Sequence, residues 1–143
     1  MGGETIVAIL ENAYWLKKQR VTLILQPQSE IGNFRRYLVE CGFTVSQEDM
    51  VWEDGKFYPI IKAVFKKTAH KDRYTDIEFY YGKRLLESRH PVLYSYLEKE
   101  LEKVQQIARR LQASSTVNAK KRLREILKEK QRIEAAMRVY EDL

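Results

Sequence analysis

The run Val21-Thr22-Leu23-Ile24-Leu25, preceded by Arg20 and closed by Gln26-Pro27-Gln28, decides the fold class of this chain. Five residues without a charge, too few for a helix of ordinary length and rich in branched side chains, suit a strand buried on both faces. Such strands belong to parallel sheets covered by helices. The flanks support this. Upstream, Ile6, Ile9, Leu10, Ala13 and Leu16 recur at spacings of three and four, which predicts a helix from about residue 3 to 17 with one buried face. Downstream, Ser29 is a suitable N-cap, and Ile31, Phe34, Leu38 and Val39 form the apolar stripe of a second helix that stops at Gly42. The order helix, buried strand, helix places the first part of the chain in the α/β class.

Two β-rich runs follow, Phe43 to Glu53 and Lys56 to Lys67, separated by Asp54-Gly55. Asp-Gly between such runs predicts a hairpin with a type I′ turn, which requires positive φ at both central residues. Pro59 cannot donate to a ladder, so a local irregularity is expected there. Residues 66–78 are polar and aperiodic, and a linker over 70–78 is expected to divide an α/β part, 1–69, from a helical part, 79–143. The aromatic stretch from Phe79 to Leu86 has no firm assignment. Beyond His90-Pro91 the pattern is regular. Leu93, Leu97, Leu101, Val104, Ala108 and Leu111 step by fours and threes, as do Ala119, Leu123, Ile126, Lys130, Ile133, Met137 and Tyr140. These predict two helices with coiled-coil seams. The short Ser114-Ser115-Thr116-Val117-Asn118 segment reverses the chain, so the pair is expected to be antiparallel.

The whole chain has 143 residues and a formal net charge of +6. That length suits one domain, or a small domain with an extension. Residues 1–69 carry a net +1, whereas 109–132 alone hold nine cations and two anions. The cations are Arg109, Arg110, Lys120, Lys121, Arg122, Arg124, Lys128, Lys130 and Arg132. Concentrated positive charge is a footprint for a polyanion, and equally a solvated helical face. No apolar run is long enough to span a membrane and no signal peptide is visible, so a cytoplasmic protein without a membrane partner is expected. The single cysteine, Cys41, excludes an internal disulfide. With His70 and His90 it makes no zinc pattern, so no metal is expected.

Chemistry-bearing groups are sparse. Gln26-Pro27-Gln28 lies just after the buried strand, where open α/β sheets bind ligands. Gly2-Gly3 opens a helix, where backbone N–H groups and missing side chains permit close approach. Tyr80, Tyr81, Lys83 and Arg84 combine aromatic faces with cations, as sites for unpaired bases do, although packing at a junction explains them as well. Arg35-Arg36 offers a phosphate contact or a carboxylate pair. Glu48-Asp49 and Glu53-Asp54, beside the turn, read as solvated carboxylates, Cys41 as a small core residue, and His90-Pro91 as a helix start.

In these residues the chain resembles the bacterial S-adenosylmethionine-dependent tRNA methyltransferases that modify N1 of adenine 22. Met1-Gly2-Gly3 matches the end of the family's A-G-M-G-G motif. Leu23-Ile24-Leu25-Gln26-Pro27-Gln28 matches its L-I-L-Q-P-N/Q, and Phe34-Arg35-Arg36-Tyr37-Leu38 its I/F-R-x-W/Y-L. Glu53-Asp54-Gly55-Lys56-Phe57-Tyr58 and Tyr81-Gly82-Lys83-Arg84-Leu85 match the hairpin and aromatic motifs, with Pro59 in place of an acidic residue and Lys83 in place of proline. The resemblance implies the C-terminal part of a Rossmann-like methyltransferase domain followed by an antiparallel coiled-coil hairpin. It further implies S-adenosylmethionine as cofactor and tRNA as partner. Met1, Gly2 and Gly3 would line the cofactor and target-base pocket, with Gln26 and Pro27 across the crevice. Arg35, Arg109, Arg110, Lys120, Lys121, Arg122, Arg124 and Lys128 would contact tRNA. The family's D-x-G-x-D-H cofactor loop has no counterpart here, so the chain alone is expected to be inactive, and a misplaced start would account for that. The alternative is a non-catalytic RNA-binding or coiled-coil interaction protein retaining part of the scaffold.

Overall fold

A computed structural model describes residues 1–13, 21–65 and 73–141. The chain divides into two compact units, Met1–His90 and Pro91–Leu143.

The first unit contains α1 (Gly3–Asn12), β1 (Thr22–Leu25), α2 (Ile31–Glu40), β2 (Phe43–Glu53), β3 (Lys56–Phe65), α3 (Asp76–Tyr81) and α4 (Lys83–Glu87). Its sheet has the order β1-β3-β2, and both pairings are antiparallel. β1 and β2 therefore run parallel to each other, joined through α2, and the return strand of the hairpin fills the space between them. This corrects the reading of β1 as a strand buried in a parallel ladder. Its partner is β3, with Ile24 opposite Lys62, and Ile24 is 73% exposed. The apolar run of Val21–Leu25 is thus an edge strand with alternating burial among the described residues.

One face of the sheet is sealed by α1 and α2. Ile6 and Leu10 of α1, Phe34 and Leu38 of α2, and Phe43, Val45, Ile61 and Ala63 of the sheet form the core, with Leu23, Leu25, Tyr37 and Cys41 at its margin. Burying each large side chain of this kind contributes roughly 1.5–3 kcal/mol. α1 ends at Asn12, and the expected residues 14–17 of that helix lie outside the described residues. Ile9, read as part of its buried face, is 48% exposed.

α2 is not capped by Ser29. Glu30 takes the N-cap position in a left-handed conformation, φ 52°, and its carboxylate accepts from Asn33 at 2.9 Å. The Asp54-Gly55 turn has φ 50° and 78°, the positive values that a type I′ turn demands. Pro59 stays in register opposite Met50, because it lies beyond the stretch of β3 that β1 pairs. The irregularity falls instead between Val45 and Gln47.

Residues 76–78, expected in the linker, open α3. The Glu78 carboxylate accepts from the Thr75 backbone N–H at 2.8 Å, half of a capping box. Residues 66–72 lie outside the described part. α3 and α4 pack on α2 and β2, so the division between units falls at His90–Pro91 and not at 79.

The second unit is α5 (Pro91–Gln112) and α6 (Val117–Arg138). Pro91 opens α5, where its missing N–H is harmless. The Thr116 hydroxyl caps α6 by accepting from Ala119 N at 3.1 Å. Tyr94, near the start of α5, lies 4.9 Å by ring centroid from Tyr140, just past the end of α6, so the helices run antiparallel. Leu93, Leu97, Val104 and Ala108 are buried, as are Ala119, Ile126, Ile133 and Ala136.

Candidate functional site

The chain segment leaving β1 folds back over the start of α1. Gly3 N donates to Ser29 O at 2.9 Å, and Gln28 N donates to Met1 O at 2.8 Å. Met1, Gly2 and Gly3 are thereby brought beside the Gln26–Ser29 loop at the carboxyl end of β1. The glycines have a local cause. A Cβ at Gly3 would stand 2.7 Å from Ser29 O, and one at Gly2 2.6 Å from Ser29 Oγ. Their bareness admits the chain's own loop. Pro27 is buried in this contact, while the side chains of Gln26 and Met1 face solvent. Gly3 is buried with its N–H given to Ser29 O, so the side chains this edge leaves open to a cofactor are those of Met1 and Gln26.

Arg35 is not at a polyanion-binding surface. It is 1% exposed, and its Nε donates to Glu48 Oε1 at 2.7 Å while Nη1 donates to Phe79 O at 2.9 Å and Tyr80 O at 3.0 Å. This corrects its expected tRNA contact, because every direction of the guanidinium fork here faces protein. Glu48 is likewise not solvated: its side chain is 0% exposed, and its second oxygen accepts from Arg84 N at 3.0 Å. The pair ties α2, β2 and the α3–α4 corner together. Gly82 makes the corner possible, with φ 102° and space for a Cβ closed by Glu48 Oε1 at 2.9 Å. Of the two sequence readings of Arg35-Arg36, the carboxylate pair holds at Arg35, while the identity of its partner, Glu48, was not legible. Arg36 is the more exposed of the two, stacked over Phe79 at 4.3 Å and 3.8 Å from Asp76.

The aromatic cluster is divided by the corner. Tyr81 is buried, Tyr80 is 44% exposed, and Lys83 donates to Arg73 O and sits over the Tyr74 ring. Arg84 Nε donates to Val45 O at 3.1 Å and its Nη1 to Glu87. These cations serve the fold. His90 Nε2 lies 2.7 Å from Asp49 Oδ1 and ends the unit.

In the second unit Arg109, Arg110, Lys120, Lys121, Arg122, Arg124 and Lys128 are all exposed. Lys121, Arg124 and Lys128 fall on one face of α6 by their spacing of three and four. Arg122 pairs with Glu125 at 3.2 Å. Lys130, at the seam, is half-buried. Among the described residues no cluster of ligands could hold a metal ion, and no helix is long and apolar enough to cross a membrane.

An α/β unit in which an antiparallel return strand separates two parallel ones, followed by paired basic helices, falls in the Rossmann-like methyltransferase class. A Streptococcus agalactiae structure described as a protein in the NADB-Rossmann superfamily superposes with a TM-score of 0.79 at 25% identity, over 96% of this chain and 56% of its own. A model of the TrmK family, tRNA (adenine(22)-N(1))-methyltransferase, matches residues 1–135, and the chain belongs to that family. The Streptococcus pneumoniae protein described as a putative tRNA (m1A22) methyltransferase is 28% identical, with a TM-score of 0.79 over 96% of this chain and 58% of its own. It has also been solved with S-adenosyl-L-methionine. The Bacillus subtilis m1A22 tRNA methyltransferase is 25% identical, with a TM-score of 0.76 over 96% and 60%. The chain thus spans under two thirds of these structures. No curated protein sequence matches it.

Proposed function

We propose that the chain is the cofactor-edge and tRNA-binding portion of an S-adenosylmethionine-dependent methyltransferase acting on N1 of an adenine in tRNA. The observation that carries this is the family match across residues 1–135. The α/β unit is the later part of the catalytic domain, and α5 with α6 is an antiparallel coiled-coil hairpin that binds tRNA. Met1, Gly2, Gly3, Gln26 and Pro27 form one rim of the cofactor crevice at the carboxyl end of β1. Bound there, S-adenosylmethionine supplies an electrophilic methyl group on sulfur. The chain's own part is positional. Hydrogen bonds from Gly3 to Ser29 and from Gln28 to Met1 hold the rim together, so that Met1 and Gln26 are presented from one rigid edge. The exposed cations from Arg109 to Lys128 neutralise backbone phosphates, releasing counterions. The reading places the protein in the cytoplasm, with tRNA.

The test is nucleoside mass spectrometry of unmodified tRNA incubated with S-adenosylmethionine and the polypeptide of the complete reading frame. The reading predicts accumulation of 1-methyladenosine, and its absence overturns it.

A further inference from the structure

The positive charge of the second unit is confined to its turn end. Residues 103–124, which hold the last turns of α5, the connection over 113–116 and the first turns of α6, carry seven cations and no anion. The rest of residues 91–143 carry five cations and eight anions. Arg109, Arg110, Lys120, Lys121 and Arg124 make no ion pair among the described residues, so their charge is open to a partner. Ser114 and Thr116 build the turn. Ser114 N donates to Leu111 O at 3.1 Å, the hydroxyls of Ser114 and Thr116 lie 3.3 Å apart, and Thr116 caps α6. Ser115, Val117 and Asn118 are left pointing outward, Val117 with 83% of its surface exposed. Neither Ser115 nor Asn118 spends a side-chain hydrogen bond within the described residues.

Resting on the reading of these helices as the tRNA-binding part, we propose that the hairpin grips a double-stranded RNA stem end-on, its turn seated in the minor groove. Charge fixes the end: the turn attracts phosphates, and the anionic remainder of the unit repels them. The strandedness follows from what the turn lacks. No aromatic residue lies between Tyr96 and Tyr140, whereas single strands are held by stacking their bases on aromatic side chains. Shape selects the groove. Two packed helices present an end about 20 Å across, too broad for the narrow, deep major groove of an RNA helix but suited to its wide, shallow minor groove. That groove displays 2′-hydroxyls, which the Ser115 hydroxyl and the Asn118 amide can pair with, while Val117 packs on the ribose between them. The cations on either side meet the two flanking phosphate strands.

Fluorescence anisotropy of the 143-residue chain with a labelled RNA duplex of about 16 base pairs tests this. A DNA duplex of the same sequence should bind about fivefold more weakly, the scale of one or two net hydrogen bonds, and the single RNA strand more weakly again. Ser115→Ala with Asn118→Ala should lower RNA affinity to the DNA level without changing the salt dependence, because neutral groups release no counterions. Val117→Glu places a carboxylate where the start of α6 tolerates one, and it should lose at least about tenfold against the phosphates. Lys99→Glu with Arg138→Glu, outside 103–124, should leave affinity unchanged, since charge is screened over about 8 Å at 0.15 M salt. A single strand bound as tightly as the duplex, DNA as tightly as RNA, turn variants that match the parent, or an equal loss from the Lys99 and Arg138 reversal would each overturn the proposal. Intact tRNA bound without the duplex overturns the end-on grip and keeps the tRNA reading. Duplex binding by a chain whose complete reading frame forms no 1-methyladenosine does the reverse.

Discussion

The Arg35 guanidinium donates to Glu48 at 2.7 Å with both side chains sealed from solvent, at 1% and 0% exposure. A buried ion pair adds little net stability over apolar residues, but removing one partner leaves the other charged in a dry place. Glu48→Ala should therefore cost about 3–5 kcal/mol in urea unfolding. Arg35→Ala should cost as much, since it also strands the carbonyls of Phe79 and Tyr80. The paired replacement Arg35→Met with Glu48→Leu should recover most of the loss. Single variants within about 1 kcal/mol of the parent would contradict the buried pair.

Gly82 and Gly55 separate two costs of replacing glycine. Both have positive φ, 102° and 78°, but a Cβ at Gly82 would press on Glu48 and Arg35, while at Gly55 nothing lies within 4 Å. Gly55→Ala should cost only left-handed strain, about 1 kcal/mol. Gly82→Ala should cost about 2–3 kcal/mol, because strain and displacement of the ion pair add. Thermal melts of the two variants give the comparison, and equal losses would remove the close approach as a cause.

Local features of this fold were legible in the sequence and long-range ones were not. Asp54-Gly55 announced its turn because the needed dihedrals belong to those two residues. The threes and fours from Leu93 to Tyr140 announced two helices because burial repeats with the helical period. Val21–Leu25 read as a doubly buried strand because composition cannot say which strand becomes its neighbour. That neighbour, β3, comes from a hairpin formed later in the chain. Glu48 was misread for the same reason: its partner is on the helix α2, and the backbone that completes the node is at Phe79 and Tyr80. Of the candidate site, the resemblance set Met1–Gly3 and Gln26-Pro27 about one crevice, whereas their direct hydrogen bonds depend on how the loop after β1 folds back over α1.

Two tyrosines set the alkaline limit. Burial, followed by the adjacent Cys41 and by Glu11, pushes the Tyr37 hydroxyl up to about 12, and burial does the same to Tyr140. Their unfolded value is near 10. The folded state thus holds these protons more tightly, so their stabilising contribution is complete below pH 10 and is lost as pH rises from about 10 to about 12. Absorbance titration should show Tyr37 and Tyr140 ionising late. Tyr37→Phe should remove one of them and flatten the fall in stability over that window. A single transition near 10 for every tyrosine would refute the assignment.

Thr116 should be the sensitive position in the turn between α5 and α6. Its hydroxyl satisfies Ala119 N at 3.1 Å, one of the orphan donors at the start of α6. Thr116→Ala should cost about 1 kcal/mol, while Thr116→Asp, which preserves an acceptor and complements the helix dipole, should be neutral or stabilising. Chemical unfolding followed by circular dichroism distinguishes these. Equal destabilisation by both would point to lost packing and not to the cap.

The exposed cations of α6 carry the largest expected effect on tRNA. Reversal of Lys120, Lys121, Arg122 and Arg124 to Glu changes four exposed positions without touching the buried Ala119, Ile126, Ile133 or Ala136, so the helix should persist. If those cations neutralise phosphates, affinity should drop at least about tenfold at moderate salt. The plot of log affinity against log salt should also become shallower by about three to four, since each of the four lost phosphate contacts removes nearly one unit of slope. The slope decides the matter. A variant that binds more weakly with an unchanged slope has lost folding or geometry, whereas weaker binding with a shallower slope identifies these side chains as the phosphate contacts. Arg35→Met with Glu48→Leu, which removes a cation that the fold has already spent, should leave the slope as it is.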